Sequence, residues 1–178
     1  MRNNTPHTGK HDVTAQIAEQ LLYEGKSVAM CSTPLSNYFA MTGVRPRFED
    51  NCTALWRGYV GHWEIIDNRL YLVELHGTLE DGTDVSVATV FPDFPDRVFA
   101  HWYSGTIRIP QGKMLKYLHA GFGSTYERDL ILELERGVVV ATHIRHNGKS
   151  DAENAPEDYS TGGMVIFSRF KRKDRESA

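Results

Sequence analysis

Two short segments of the chain concentrate residues that could carry out acid–base or binding chemistry. Residues 55–65 read LWRGYVGHWEI and residues 99–104 read FAHWYS, and together they contain all three tryptophans of the 178-residue chain. Histidine transfers protons near neutral pH, glutamate accepts or orients a proton, and an arginine guanidinium pairs with anions. The residue types therefore predict that a functional site, if the chain has one, involves these segments.

Side chains alternate between the two faces of a strand, so residue order predicts which of these side chains lie together. In each segment a tryptophan shares its face with small or aliphatic residues, and we expect Trp56, Trp63 and Trp102 to face a common core. The opposite face then carries Arg57, Tyr59, His62, Glu64, His101 and Tyr103. If the strands belong to one sheet, these six side chains gather on one wall.

The segment RLYLVEL bears on whether that wall is covered. Leu70 and Leu72 point one way, whereas Tyr71, Val73 and Leu75 point the other way. Apolar residues on both faces favour a strand covered on both sides, as in a barrel or a two-layer sheet. The polar wall would then line a cavity with aromatic sides, which is the usual form of a small-ligand site.

The favoured hypothesis is a binding module. It predicts that a small polar or anionic ligand is held in the cavity by Arg57, Tyr59, His62, His101 and Tyr103. The guanidinium would pair with an anion and the aromatic rings would wall the ligand, so no catalytic motif is required.

Two further roles and a purely structural one stay open for the same residues. An enzyme would use the catalytic candidates His62, Glu64 and His101 as an acid–base site for a small anionic substrate. A protein-interaction role, of the immunity or inhibitor type, would use the same aromatic residues as contact surface. The constellation would also occur in an ordinary sheet, stabilised by cross-strand aromatic pairs and an Arg57–Glu64 ion pair.

Motifs for cofactors, metals and nucleophiles are missing from the sequence. It has no Gly-x-Ser-x-Gly elbow, no Cys-x-x-Cys pair and no phosphate-binding glycine loop. A zinc set of His62, His101 and Glu64 can be imagined, but no ligand spacing supports it. We therefore predict no metal and no cofactor.

Bulk composition bounds the partners and the compartment. The net charge of −3 favours neither nucleic acid nor an anionic membrane, and self-association into a homo-oligomer stays open. Cys31 and Cys52 are too few for a disulfide framework and are expected to be reduced. No signal-peptide pattern and no apolar run of about 20 residues is present, which predicts a cytoplasmic protein that does not span a membrane.

The N-terminal part of the domain favours helices. The segment DVTAQIAEQLLYEG, residues 12–25, places apolar side chains on one helical face and has Gly25 to end the helix. A second helix is expected to begin at Pro34, because proline is favoured at the first helical position.

From residue 53 onward, runs of β-branched and aromatic residues predict the strands TALWRGYV, HWEII, RLYLVEL, DVSVATVF, RVFAHWYSGTIRI, DLILELE, VVVATHI and MVIFSRF. Turn dipeptides between runs predict hairpins at Asp67-Asn68, Asp81-Gly82 and Arg136-Gly137. Residues 112–122 predict a helical turn. The predicted fold class is α+β and β-dominated, an antiparallel meander forming a curled sheet, barrel or sandwich with one or two short N-terminal helices.

The chain length favours one domain, which we expect over residues 12–171. Residues 1–11 are polar and predict a disordered N-terminus. Residues 147–162 are acidic and rich in turn formers, which predicts a mobile loop, and residues 172–178 predict a charged tail.

Overall fold

The computed structural model describes residues 15–49, 52–157 and 159. Within these ranges the strands are β1 (Glu19–Tyr23), β2 (Lys26–Met30), β3 (Tyr59–Ile66), β4 (Arg69–Gly77), β5 (Val98–Phe99), β6 (Gly105–Lys116), β7 (Thr125–Glu135) and β8 (Val138–His146). The helices are α1 (Pro34–Thr42), a 3-10 helix (Thr53–Leu55) and the short α2 (Val87–Val90). The predictions for residues 1–11, for MVIFSRF and for the charged tail lie outside the described residues.

One curled, mostly antiparallel sheet contains all the described strands. Its order is β2-β1-β3-β4-β8-β7-β6, and β5 pairs with β4 beside β8. The pairing of β1 with β3 is parallel, whereas every other strand pair is antiparallel. The β-dominated α+β prediction is therefore confirmed.

The two outer strands of this order approach each other just beyond β2. The Cys31 amide donates to the Arg108 carbonyl at 2.8 Å. The Ser32 hydroxyl donates to the Thr106 carbonyl at 3.1 Å and accepts from the Arg108 amide at 3.2 Å. Because Thr106 and Arg108 belong to β6, these bonds curl the sheet and bring its ends together.

Two of the predicted hairpin turns are confirmed. Asp67 and Asn68 both have positive φ, 49° and 60°, and join β3 to β4. Arg136 and Gly137, at 48° and 80°, join β7 to β8. Such left-handed pairs match the twist of the flanking strands. At Asp81-Gly82 the chain also turns: the Gly82 amide donates to the Leu79 carbonyl at 2.9 Å, and the flanking residues form an isolated bridge, Thr78 to Asp84, instead of extended strands.

The predicted helix over residues 12–25 is wrong in its described part. Residues 19–23 form β1, and Glu24 and Gly25, at φ 49° and 76°, make a two-residue turn into β2. Buried and more exposed side chains alternate at the start of β1, as in other strands, but the buried side carries Glu19 as well as Leu21. A charged residue at a core position hides the period of two in the sequence.

Three other local predictions are also wrong. The TAL of TALWRGYV is a 3-10 helix, so β3 starts only at Tyr59. The VATV of DVSVATVF is α2, at whose start the Ser86 amide donates to the Thr89 hydroxyl at 3.0 Å. Residues 112–116 continue β6, where register shifts against β7 accommodate Gly112 at φ 75°.

A β-bulge, and not a second layer covering the sheet, explains why apolar residues of β4 are expected from simple alternation to point to both faces. Trp63 pairs with Leu72, but the next pair is His62 with Glu74, so Val73 is an extra residue in β4. Such a bulge reverses the alternation beyond it. Leu70, Leu72 and Leu75 consequently all face the core, with at most 2% of their surfaces exposed.

The three tryptophans do not share one environment, which corrects the prediction of a common tryptophan face. Trp63 is 1% exposed and Trp102 packs partly buried against the core, but Trp56 is 66% exposed. Gly58, at φ 78°, lies between Trp56 and β3, so the strand alternation does not extend back to Trp56. Trp102 lies in the turn after β5 rather than in a strand.

Residues 147–157 contain no regular strand or helix, and Glu157 forms a bridge with Lys113. Among the described residues, no helix has both the length and the apolar character needed to cross a membrane.

Replacing Trp63 by alanine should lower the free energy of unfolding by about 3–5 kcal/mol, because it empties a large buried volume. Trp56→Ala is the matched control and should change it by less than about 0.5 kcal/mol, since that indole is exposed. Urea denaturation of both variants measures the difference. Similar losses in the two variants would contradict the assigned core.

Candidate functional site

The six residues of the predicted polar wall lie in three environments. Arg57, Tyr59 and Tyr103 are buried in the interior. His62 and Glu64 lie half-buried on the outer face of β3, on the side opposite Trp63. His101 is exposed in the turn that follows β5. The structure therefore divides the predicted binding and catalytic residues rather than gathering them in one cavity.

Arg57 belongs to a buried polar cluster with Glu19 and Trp63. Its Nε lies 3.4 Å from Glu19 Oε1, and the two side chains are 3% and 0% exposed. The other carboxylate oxygen of Glu19 accepts a hydrogen bond from the Trp63 indole nitrogen. The guanidinium also lies over the Tyr59 ring, 5.5 Å from its centroid. The partner of Arg57 is thus Glu19 and not Glu64, and the pair lies in the core.

Gly61 makes the room for this cluster. A Cβ at this position would lie 2.6 Å from Glu19 Oε2 and 2.6 Å from Trp63 Nε1. Only glycine lets the carboxylate of β1 and the indole of β3 meet across the strand.

Burial dominates the electrostatics of the cluster. Loss of solvation raises the pKa of Glu19 from 4.5 to about 7, although the Arg57 charge and the Trp63 hydrogen bond act in the opposite direction. Burial also raises the pKa of Tyr59 and of Tyr103. Their hydroxyls bond Ser36 Oγ and the Thr106 carbonyl, both at 2.7 Å. These tyrosines are therefore neutral, hydrogen-bonded parts of the interior.

A second buried carboxylate, Asp129, organises the other end of the sheet. It accepts from Arg108 at 2.8 Å, from Arg145 at 2.7 Å and from Asn147 at 2.8 Å. Burial favours the neutral acid, but these bonds together lower the pKa of Asp129 below its usual range. Arg108 also donates to the carbonyls of Phe122 and Ser124. The group is satisfied internally and anchors residues 118–124.

On the outer face of the β3–β4 hairpin, His62 meets two residues that the sequence analysis did not select, Glu74 and His76. His62 Nδ1 lies 4.0 Å from Glu74 Oε2, and His76 Nε2 lies 3.2 Å from the same oxygen. The two imidazole rings contact edge to face, with centroids 4.8 Å apart. Burial, and then the neighbouring His76, lower the pKa of His62. This cluster combines two imidazoles with one carboxylate.

The bulge is the reason that sequence reasoning missed this cluster. Without an extra residue in β4, the turn at Asp67-Asn68 would pair His62 with Val73 and send Glu74 to the other face. The spacing of the core leucines is the one signal in the sequence that could have located the bulge, because Leu70 and Leu72 are two residues apart whereas Leu72 and Leu75 are three apart.

His101 lines a groove of about 330 Å³ beside α2. The groove is formed by Tyr38, Val90, Phe91, Pro92, Asp93, Phe94, Val98 and His101. His101 Nδ1 lies 3.2 Å from the Phe99 carbonyl. When Nδ1 donates to that carbonyl, Nε2 is the ring atom able to accept a hydrogen bond. Asp93 and Phe94 were not selected from sequence, because nothing in the pattern DFPD distinguishes a groove from a surface loop.

Neither cysteine forms a disulfide. Cys52 is exposed, and burial raises the pKa of the Cys31 thiol to about 12. Cys31 is therefore protonated at neutral pH and is a poor nucleophile.

No protein-family model, no curated protein and no solved structure matches this chain. Its function is therefore inferred from the geometry of the groove and of the outer-face cluster.

The raised pKa of Glu19 predicts a pH-dependent stability. Below pH 4.5 the carboxyl is protonated in both states, and as pH rises to about 7 only the unfolded state ionises readily. The native state should thus lose about 3 kcal/mol over this range from this group. Glu19→Gln lacks the titration, so its stability relative to the wild type should rise by a similar amount between pH 4.5 and 8.

Urea denaturation across that pH range tests the prediction. Glu135→Gln, which removes an exposed carboxyl group at the end of β7, is the control and should keep the wild-type loss. A constant difference between Glu19→Gln and the wild type would show that folding does not raise the pKa of Glu19.

Proposed function

We propose that this chain is a binding protein for a small polar ligand, which lies in the groove between α1, α2 and the turn after β5. The observation that carries the proposal is the lining of that groove. Three aromatic rings, those of Tyr38, Phe91 and Phe94, line the groove together with two ionisable side chains, Asp93 and His101. An apolar concavity of several hundred Å³ with few polar groups is the usual form of such a site.

The inner wall of the groove is preformed. Tyr38 of α1 packs on Phe91 with ring centroids 4.8 Å apart, and Phe91 stacks on Trp102 at 5.3 Å. The Trp102 indole donates to the Pro34 carbonyl at 3.0 Å, which ties the turn after β5 to the start of α1. A wall held this way loses little conformational freedom when a ligand binds. Phe94, 56% exposed, forms the rim.

The polar groups define the chemistry of the ligand. Asp93 offers a negative charge and His101 offers a ring nitrogen that can accept. A ligand with a flat apolar part and a hydrogen-bond-donating or cationic end suits this groove. Arg57, the residue expected to bind an anion, lies in the core beside Glu19 and does not line the groove.

Binding is favoured over acid–base catalysis by the same geometry. Of the catalytic candidates His62, Glu64 and His101, the groove contains His101 alone. The other two lie on the outer face of β3.

Two broader expectations belong to this proposal. The hydrogen bonds of Cys31 and Ser32 to β6 support a sheet that closes into a barrel. The free thiols of Cys31 and Cys52 support a reducing, cytoplasmic location.

Three probes that differ in charge test the proposal by NMR: benzylamine, benzyl alcohol and benzoate. Benzylamine should bind most tightly and benzoate least, and the amide signals of Val98 and His101 should shift. Asp93→Asn should weaken benzylamine binding about two- to fivefold, as expected for an exposed charge pair, and leave benzyl alcohol unaffected.

Phe94→Ala should weaken binding of benzylamine and benzyl alcohol, because it removes the rim of the groove. Trp56→Ala, which removes another exposed aromatic ring outside the groove, is the control and should have no effect. Probe shifts that are confined to other parts of the sheet, or that survive both groove substitutions, would refute the assignment.

A further inference from the structure

We propose that His62, Glu74 and His76 form a binding site for a divalent transition-metal ion on the outer face of the β3–β4 hairpin. Each residue offers one ligand atom, and these three atoms all lie within 4.8 Å of one another. Within the described part of the chain, this is the one group of three or more histidine, cysteine or acidic side chains that converges so closely.

The spacing of the ligand atoms fits a metal after a small adjustment. Four ligands at 2.0–2.1 Å around a tetrahedral ion lie about 3.4 Å from one another. Glu74 Oε2 and His76 Nε2, at 3.2 Å, already have this separation. His62 Nδ1, 4.0 Å from Glu74 Oε2, has to approach that oxygen by about 0.6 Å, and the widest separation in the group, at most 4.8 Å, has to shorten by up to about 1.4 Å.

The backbone holds the three residues in place. His62 pairs directly with Glu74 across the hairpin, and Glu74 and His76 are two residues apart on one face of β4. Their neighbours Trp63, Leu72 and Leu75 are buried in the core, so the strands that carry the ligands are fixed from the other side. A site on paired strands is more precise than one on a loop.

The donor set selects the class of metal. Two imidazole nitrogens and one carboxylate oxygen suit Zn²⁺, Co²⁺ or Ni²⁺, whereas Mg²⁺ and Ca²⁺ prefer oxygen ligands alone. The His62 and His76 side chains are 28% and 33% exposed, and that of Glu74 is 63% exposed. Three protein ligands at the surface leave a coordination position for water or a bound anion. The cluster shares no residue with the groove beside α2, so the two proposals can fail separately.

Titration of the full chain with zinc, cobalt and magnesium chloride tests the site. His7 and His11 are replaced by Asn in every protein, so that the N-terminal histidines add no binding of their own. After removal of metal by a chelator, calorimetry should show one Zn²⁺ or Co²⁺ bound per chain and no binding of Mg²⁺. The Co²⁺ complex should have visible d–d bands and no thiolate charge-transfer band, because its ligands are nitrogen and oxygen.

His62→Asn, Glu74→Gln and His76→Asn should each weaken Zn²⁺ binding about tenfold or more. The matched control is the double variant Glu133→Gln, His143→Asn. It removes another imidazole–carboxylate pair, 3.5 Å apart on β7 and β8, and should leave the affinity unchanged. Circular dichroism of each variant establishes that it is folded.

Three results would overturn the proposal. They are the absence of Zn²⁺ binding in the starting protein, retention of its affinity in all three ligand variants, and a thiolate band in the Co²⁺ spectrum that assigns the metal to a cysteine.

Discussion

The buried contact of Glu19 with Arg57 and Trp63 is the constraint on which the sheet depends. Burying a carboxylate and a guanidinium costs free energy unless the two groups pair with each other. Glu19 lies on β1 and Arg57 lies just before β3, so they pair because β1 runs parallel to β3. Gly61 leaves the space for that approach. Because β3 is also one arm of the hairpin with β4, the same contact positions the strands that carry His62, Glu74 and His76.

Burial separates the polar residues of this protein into two kinds. Arg57, Glu19 and Asp129 are buried: the Glu19–Arg57 pair joins β1 to the segment before β3, and Asp129 joins β7 to its neighbours β6 and β8. His101 and the outer-face cluster lie where solvent and small molecules can reach them. An arginine beside aromatic residues looks the same in sequence whether it binds a ligand or completes the core, and only its exposure separates the two roles.

The extra residue at Val73 shows how one local irregularity changes what a surface can do. It turns Leu75 back to the core and sends Glu74 and His76 to the outer face, beside His62. A regular hairpin with the same residues would contain no such cluster. The groove beside α2 likewise depends on an irregular segment, since Trp102 reaches the Pro34 carbonyl only because the chain leaves the strand after Phe99.

The sequence by itself determined the β-rich fold class, the turns at Asp67-Asn68 and Arg136-Gly137, and the core position of Trp63. Turn and strand preferences arise from interactions between near neighbours, so they can be recognised along the chain. Tertiary structure alone decided that Arg57 pairs with Glu19, that β1 is a strand parallel to β3, and that His62 meets Glu74 and His76. The first two depend on which segment, distant in the chain, packs beside a buried charge. The third depends on the extra residue in β4, which changes the face on which Glu74 and His76 lie. Local sequence preferences predict neither.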